Sequence, residues 1–156
     1  MLKGVLNIET PYINLLNSPM KPVFKWLNKQ IILAIHSQQI AEHGGSPSVL
    51  NPGLLDSSLA APLNTYNYEE NSSVFDLAAV YGFSLVKNHA FSDGNKRVAF
   101  MSMFVFLKIN GFSLEAPEEE ATLLMLNLAE SKESQKTLSQ WLERFSINFV
   151  LANPPT

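Results

Sequence analysis

Ten consecutive residues, Asn88-His89-Ala90-Phe91-Ser92-Asp93-Gly94-Asn95-Lys96-Arg97, gather more chemically able side chains than any other stretch of the chain. An imidazole can accept a proton from an attacking hydroxyl near neutral pH. Asp93 is a hard oxygen ligand of the kind that joins Mg²⁺ to substrate phosphates. Gly94 leaves the backbone open to close approach. Lys96 and Arg97 add formal positive charge, and arginine can grip phosphate through two hydrogen bonds. One turn cannot bury so many polar groups without partners, so it faces water or a ligand. Each residue alone has a plain reading: a lone histidine is usually structural, Asp-Gly-Asn is common turn chemistry, and cations at a helix start can be merely solvated. Together they point to an anion site, because two cations at a helix N-terminus sit at the wrong end of the helix dipole unless an anion offsets them.

The elements that must position this turn are helical. From Val74 to Val86, and again from Asn95 to Asn110, the chain is apolar on nearly every side, as helices buried on all faces are. The ten residues join these two, which form the expected central pair. Around them the spacing predicts a helix over 24–42 stopped by Gly44-Gly45, a short one from Asn51-Pro52 to Pro62, one opened by Pro117 with Glu118–Glu120 in its solvated first turn, and an amphipathic one over 138–149. Ser73 with Asp76 has capping-box spacing, and 63–72 reads as a polar connection. No strand-like alternation of useful length is present. The expectation is an all-α, single-domain bundle of about six helices over 23–150. An extended arm over 1–22 precedes it, marked by Pro11, Pro19 and Pro22.

Length and composition narrow the function. The 156 residues suffice for one core, and 46% are hydrophobic, as in a folded domain. Eleven basic against 14 acidic residues give a net charge of −3, which argues against broad nucleic-acid binding. There is no cysteine, so disulfides and thiolate chemistry are excluded. Zinc would need His36, His43 and His89 with carboxylates and is not expected; His43, beside Gly44-Gly45, reads as a helix C-terminal residue. The start of the chain lacks signal-peptide character, and the longest apolar run, near 98–107, is too short for a bilayer span of about 20 residues. A cytoplasmic protein is expected.

The stretch His89-Ala-Phe-Ser-Asp-Gly-Asn-Lys-Arg97 resembles the Fic/Doc family motif, His-x-Phe-x-Asp/Glu-Gly/Ala-Asn-Gly/Lys-Arg. The resemblance extends from about Trp26 to Trp141, through Ala41-Glu-His-Gly-Gly45, Asp76-Leu-Ala-Ala79 and Asn110-Gly111. It implies an all-helical fold with ATP bound at the motif helix. It also implies His89 as general base toward a Ser, Thr or Tyr hydroxyl of a target protein, Phe91 as anchor of the turn in the core, and Asp93 as the Mg²⁺ ligand. Gly94, Asn95, Lys96 and Arg97 would contact phosphate oxygens. Membership of a toxin–antitoxin pair is implied too, with inhibition by a separate antitoxin. Thr65 and Glu69, the nearest approach to the self-inhibitory pattern of adenylylating relatives, are followed by Glu70 and break it. Tyr66 and Tyr68 lie where a flap over the site or a plain surface loop would be.

Two departures favour the Doc branch. Adenylylating relatives usually have Gly at the place of Lys96 and a second Arg at the place of Phe100. In the Doc branch the γ-phosphoryl group of ATP is the one moved, and a translation factor such as elongation factor Tu is the expected target. Gly94, where Doc has Ala, is the adenylylator's residue, so adenylyl transfer (AMPylation) stays as the alternative. Beside it stand a catalytically silent relative that grips an antitoxin or a small anion, and a ribonuclease, which the near-neutral charge disfavours.

Overall fold

The computed structural model describes residues 21–152, so all but Lys21 and Pro22 of the arm expected over 1–22 lies outside the described residues. Seven helices are formed among them. They are α1 (Lys29–His43), α2 (Pro52–Tyr68), α3 (Val74–Asn88), α4 (Asn95–Ile109), α5 (Glu118–Ala129), α6 (Gln135–Arg144) and the short α7 (Phe149–Ala152).

The all-round apolar pattern of α3 and α4 has the expected consequence. Leu77, Ala78, Tyr81 and Leu85 of α3 are buried against Val98, Ala99, Met103 and Phe106 of α4. A Cβ on Gly82 would stand 2.3 Å from the Met103 sulfur, so this glycine sets how closely the two helices approach. α2 and α6 cover α3, and α1 crosses α4. The α3 start has both halves of the capping box: Ser73 Oγ accepts from the Asp76 N–H at 3.0 Å, and Asp76 accepts from the Ser73 N–H at 2.9 Å. Asn51 caps α2 by accepting from the Leu54 N–H, with Pro52 in the first turn.

The fold departs from the sequence pattern at four places. The helix expected from Phe24 begins only at Lys29, with Asn28 as cap. Residues 24–27 are extended because Asn110 exchanges two hydrogen bonds with the Lys25 backbone, at 2.9 and 3.0 Å, and the Phe24 and Trp26 rings pack on Phe106. Pro62 does not end α2, which runs on to Tyr68. The proline forfeits only one backbone donor, while the last turn is held by Tyr66, which packs edge-on against Phe24 and Trp26 and donates to the Pro22 carbonyl at 2.6 Å. Tyr66 is therefore part of the packed body on a helix. Two three-residue strands, β1 (Phe112–Leu114) and β2 (Ser146–Asn148), pair antiparallel with Ser113 opposite Ile147; three residues are too few to register as alternation. The helix expected over 138–149 is consequently divided into α6, β2 and α7.

Candidate active site

The turn between α3 and α4 is strapped to the segment that follows α1. The Leu50 and Asn51 N–H groups donate to the Ala90 carbonyl at 2.8 and 3.1 Å, and the Ser92 N–H donates to the Ser48 carbonyl at 3.0 Å. Val49 and Phe91 form a single antiparallel bridge. Backbone groups that a free turn would leave to water are thus paired, and the turn has one conformation to present.

Within that frame the motif residues divide into two sets. Phe91 and Asn95 point inward. Phe91 is 1% exposed, and its ring stacks on that of His36 with centroids 3.9 Å apart. Asn95 is 6% exposed. Its Oδ1 accepts from the Phe91 N–H at 3.1 Å and its Nδ2 donates to the Phe91 carbonyl at 2.8 Å. Both ends of this amide are spent on the turn itself, so the phosphate contact expected of Asn95 is left to its backbone N–H alone.

His89, Asp93 and Lys96 point outward and are exposed. His89 ends α3 in the left-handed conformation, φ 48° and ψ 51°, uncommon for a residue with a side chain and concentrated at functional sites. The preceding residue is fixed from beneath: Asn88 Nδ2 donates to Ser58 Oγ at 2.8 Å, and Ser58 donates to the Leu54 carbonyl. The Asp93 carboxylate accepts from the Ser46 N–H through Oδ2 at 2.7 Å. A Cβ on Gly45 would stand 2.9 Å from that of Asp93, so only glycine lets the strap lie this close. Arg97 is half-buried and reaches the Gly44 carbonyl at 3.5 Å.

The α4 N-terminus is the electrostatic centre of the site. Its cap is Gly94, at φ 82°, which supplies no side-chain acceptor for the first-turn N–H groups. No acidic residue lies in that turn, and among the described residues neither Lys96 nor Arg97 is ion-paired with a carboxylate. Free donors, the positive end of a helix dipole and two formal cations all face one way, an arrangement that binds anions. Beside it a cavity of about 580 Å³ runs between α4 and α5, lined by Lys96, Arg97, Phe100, Met101, Met125 and the buried Gln39 among others.

A metal at Asp93 is compatible with the donors present. One carboxylate oxygen holds Ser46, the other has no partner among the described residues, and no group of three or more His, Asp or Glu side chains converges anywhere among them. Such a site suits Mg²⁺, which takes its remaining oxygens from phosphate and water, better than a metal needing an all-protein cage. No described helix is long and apolar enough to cross a membrane.

The structure also brings in residues that the sequence did not single out for the site. His36, Gln39, Ser46 and Ser58 come from α1, the strap and α2. Only the Gly44-Gly45 pair next to Ser46 gave a hint of a close backbone approach.

Comparison with known proteins gives concordant results. The sequence profile of the Fic/DOC family matches residues 26–107, more than half of the chain. "Protein kinase doc" of Escherichia phage P1 is 30% identical over 93 residues, covering 59% of this chain and 74% of that protein. "Toxin Doc" of Mycolicibacterium smegmatis is 43% identical over 74 residues, covering 47% of this chain and 57% of that protein. The uncapped, cation-bearing start of α4 lies inside the matched region together with His89, and the chain belongs to the Fic/DOC family.

Proposed function

We propose that the chain is a Doc-like toxin that transfers the γ-phosphoryl group of ATP to a hydroxyl of a target protein in the cytoplasm. The observation that carries this reading is the first turn of α4, where Lys96 and Arg97 stand without counter-ions among the described residues, over uncapped backbone donors and in the same motif as the exposed His89. A triphosphate supplies the missing negative charge, and the cavity along α4 gives the rest of a nucleotide room beside it. The relative named a protein kinase and the relative named a toxin agree with this choice.

His89 takes the proton from the attacking Ser, Thr or Tyr hydroxyl. The hydroxyl oxygen forms the new bond to the γ-phosphorus, the bond to the bridging oxygen breaks, and ADP leaves with the electron pair. Gly94–Arg97 hold the phosphates through backbone N–H groups and the two cationic side chains, so catalysis is mainly positioning and charge neutralisation. The Asp93 carboxylate would hold Mg²⁺, which offsets phosphate charge when bound. Phe100, on the cavity wall at the place of the second arginine of adenylylating relatives, cannot grip phosphate, which favours γ-transfer over adenylyl transfer. A translation elongation factor is the proposed target, and a separate antitoxin the proposed inhibitor.

ATP labelled at the α or the γ phosphate, incubated with the protein and cell extract, tests the reading. Label from the γ position on one protein, absent with His89→Ala, is the expected result. Label from the α position makes the enzyme an adenylyltransferase. Nucleotide uptake without transfer to any protein makes it a silent binder, and no uptake at all in the presence of magnesium removes the enzymatic account.

A further inference from the structure

Fifty-odd residues before the motif, His36 meets three of its members at once. The imidazole lies flat against Phe91, with ring planes 14° apart. Its Nε2 is 2.9 Å from the Asp93 carbonyl oxygen. Its Cδ2 lies 3.7 Å from where a Cβ on Gly94 would stand. Only 3% of the residue is exposed. A carbonyl oxygen can only accept, so Nε2 carries the proton and the tautomer is fixed by this bond. C=O and N–H point to opposite sides of a trans peptide. Pinning the Asp93 carbonyl toward α1 therefore turns the Gly94 N–H away from α1, and that N–H has no partner among the described residues.

We infer that His36 is a positioning residue of the site: it sets the Asp93–Gly94 peptide so that the Asp93 carboxylate and the first N–H groups of α4 face the anion together. It touches no reacting atom itself. Its effect on transfer rests on the reading proposed above, whereas its effect on the turn does not. The stack alone would be packing; the single hydrogen bond to the peptide between the carboxylate and the helix start makes the side chain directive.

Two variants separate the contributions. His36→Phe keeps a flat ring against Phe91 and loses the donor, and His36→Gln keeps an N–H donor at similar reach and loses the ring. In the nucleotide-free protein, amide hydrogen exchange at Ser46, whose N–H is held by the Asp93 carboxylate, is expected to quicken in His36→Phe and to return toward the native rate in His36→Gln. In the transfer assay, His36→Phe is expected to raise KM for ATP about tenfold, in the range of supporting residues around metal sites, with a smaller change in kcat, and His36→Gln to recover most of it. Native exchange at Ser46 in a folded His36→Phe overturns the inference. So does a Gln variant as impaired as the Phe variant, or, where His36→Phe does not fold, a folded His36→Gln whose Ser46 amide exchanges as fast as an unbonded one. If the native protein transfers nothing, the functional reading falls, and amide exchange still decides the role of His36.

Discussion

The two central helices begin at opposite ends of one antiparallel pair, and their first turns are built on opposite principles. At the start of α3 the capping groups answer each other: Ser73 and Asp76 satisfy each other's backbone, and the second oxygen of Asp76 accepts from Ser139 Oγ at 2.6 Å, tying α3 to α6. A carboxylate stands there where the dipole favours one. At the start of α4 the cap has no side chain, the charges have the unfavourable sign, and neither cation has a carboxylate partner among the described residues. The first end stabilises the fold, and the second is where the proposed function seats its phosphates. A chain that leaves one turn uncapped while capping the matching turn of the neighbouring helix is what the proposed function leads one to expect.

The sharpest way to break this contrast is at His89. His89→Ala is expected to lower transfer by about 10²–10⁴-fold, the range for a general base, with the melting temperature unchanged because the side chain is exposed; transfer persisting in a folded His89→Ala would remove it from the base role. Arg97→Ala follows. A charge-assisted hydrogen bond to phosphate is worth about 1.5–3 kcal/mol, so calorimetry should report nucleotide binding weaker by about one to two orders of magnitude.

At the opposite end, Ser139→Ala should leave transfer alone and lower stability at neutral pH by about 1–2 kcal/mol, read by denaturant unfolding. Burial by itself would raise the Asp76 pKa, but the hydrogen bonds from Ser139 and Ser73 outweigh it and hold the group below its ordinary value. A carboxyl depressed in the folded state contributes stability above its unfolded pKa of roughly 3.9 and loses it as pH falls through the lower, folded pKa. The difference between native protein and Ser139→Ala should therefore shrink on acidification below pH 4. The smallest effect is the most diagnostic. Lys96→Glu should stabilise the nucleotide-free protein by about 0.3–1 kcal/mol, since an anion replaces a cation at the helix start, while weakening ATP uptake. Destabilisation would mean that Lys96 has a structural partner and that the open end is not under strain.

Much of this contrast is legible in the chain before folding. Ser73 and Asp76 three places apart, and Gly94 followed by two cations, are local patterns, and local patterns survive without coordinates. What stays hidden depends on distant partners. His36 reads only as one of three histidines, followed on its helix by Ser37, Gln38 and Gln39, and nothing near it in sequence reveals the Phe91 ring. Asn95 belongs to the motif by spacing, yet only the folded turn decides that its amide looks inward to Phe91 and not outward to phosphate. Pro62 carries a strong local signal to stop, overridden by the docking of Tyr66. Phe24 and Trp26 suit a helix by periodicity and are drawn straight by Asn110 from across the molecule.

The absent side chain at Gly82 has a consequence for how such a chain can vary. Its empty place is filled by the Met103 thioether, so positions 82 and 103 share one volume between them. Any enlargement at 82 requires the Met103 side chain to move aside or be trimmed. The seam between them is in effect keyed, and descendants of this sequence that enlarge one half of the key would have to make room in the other.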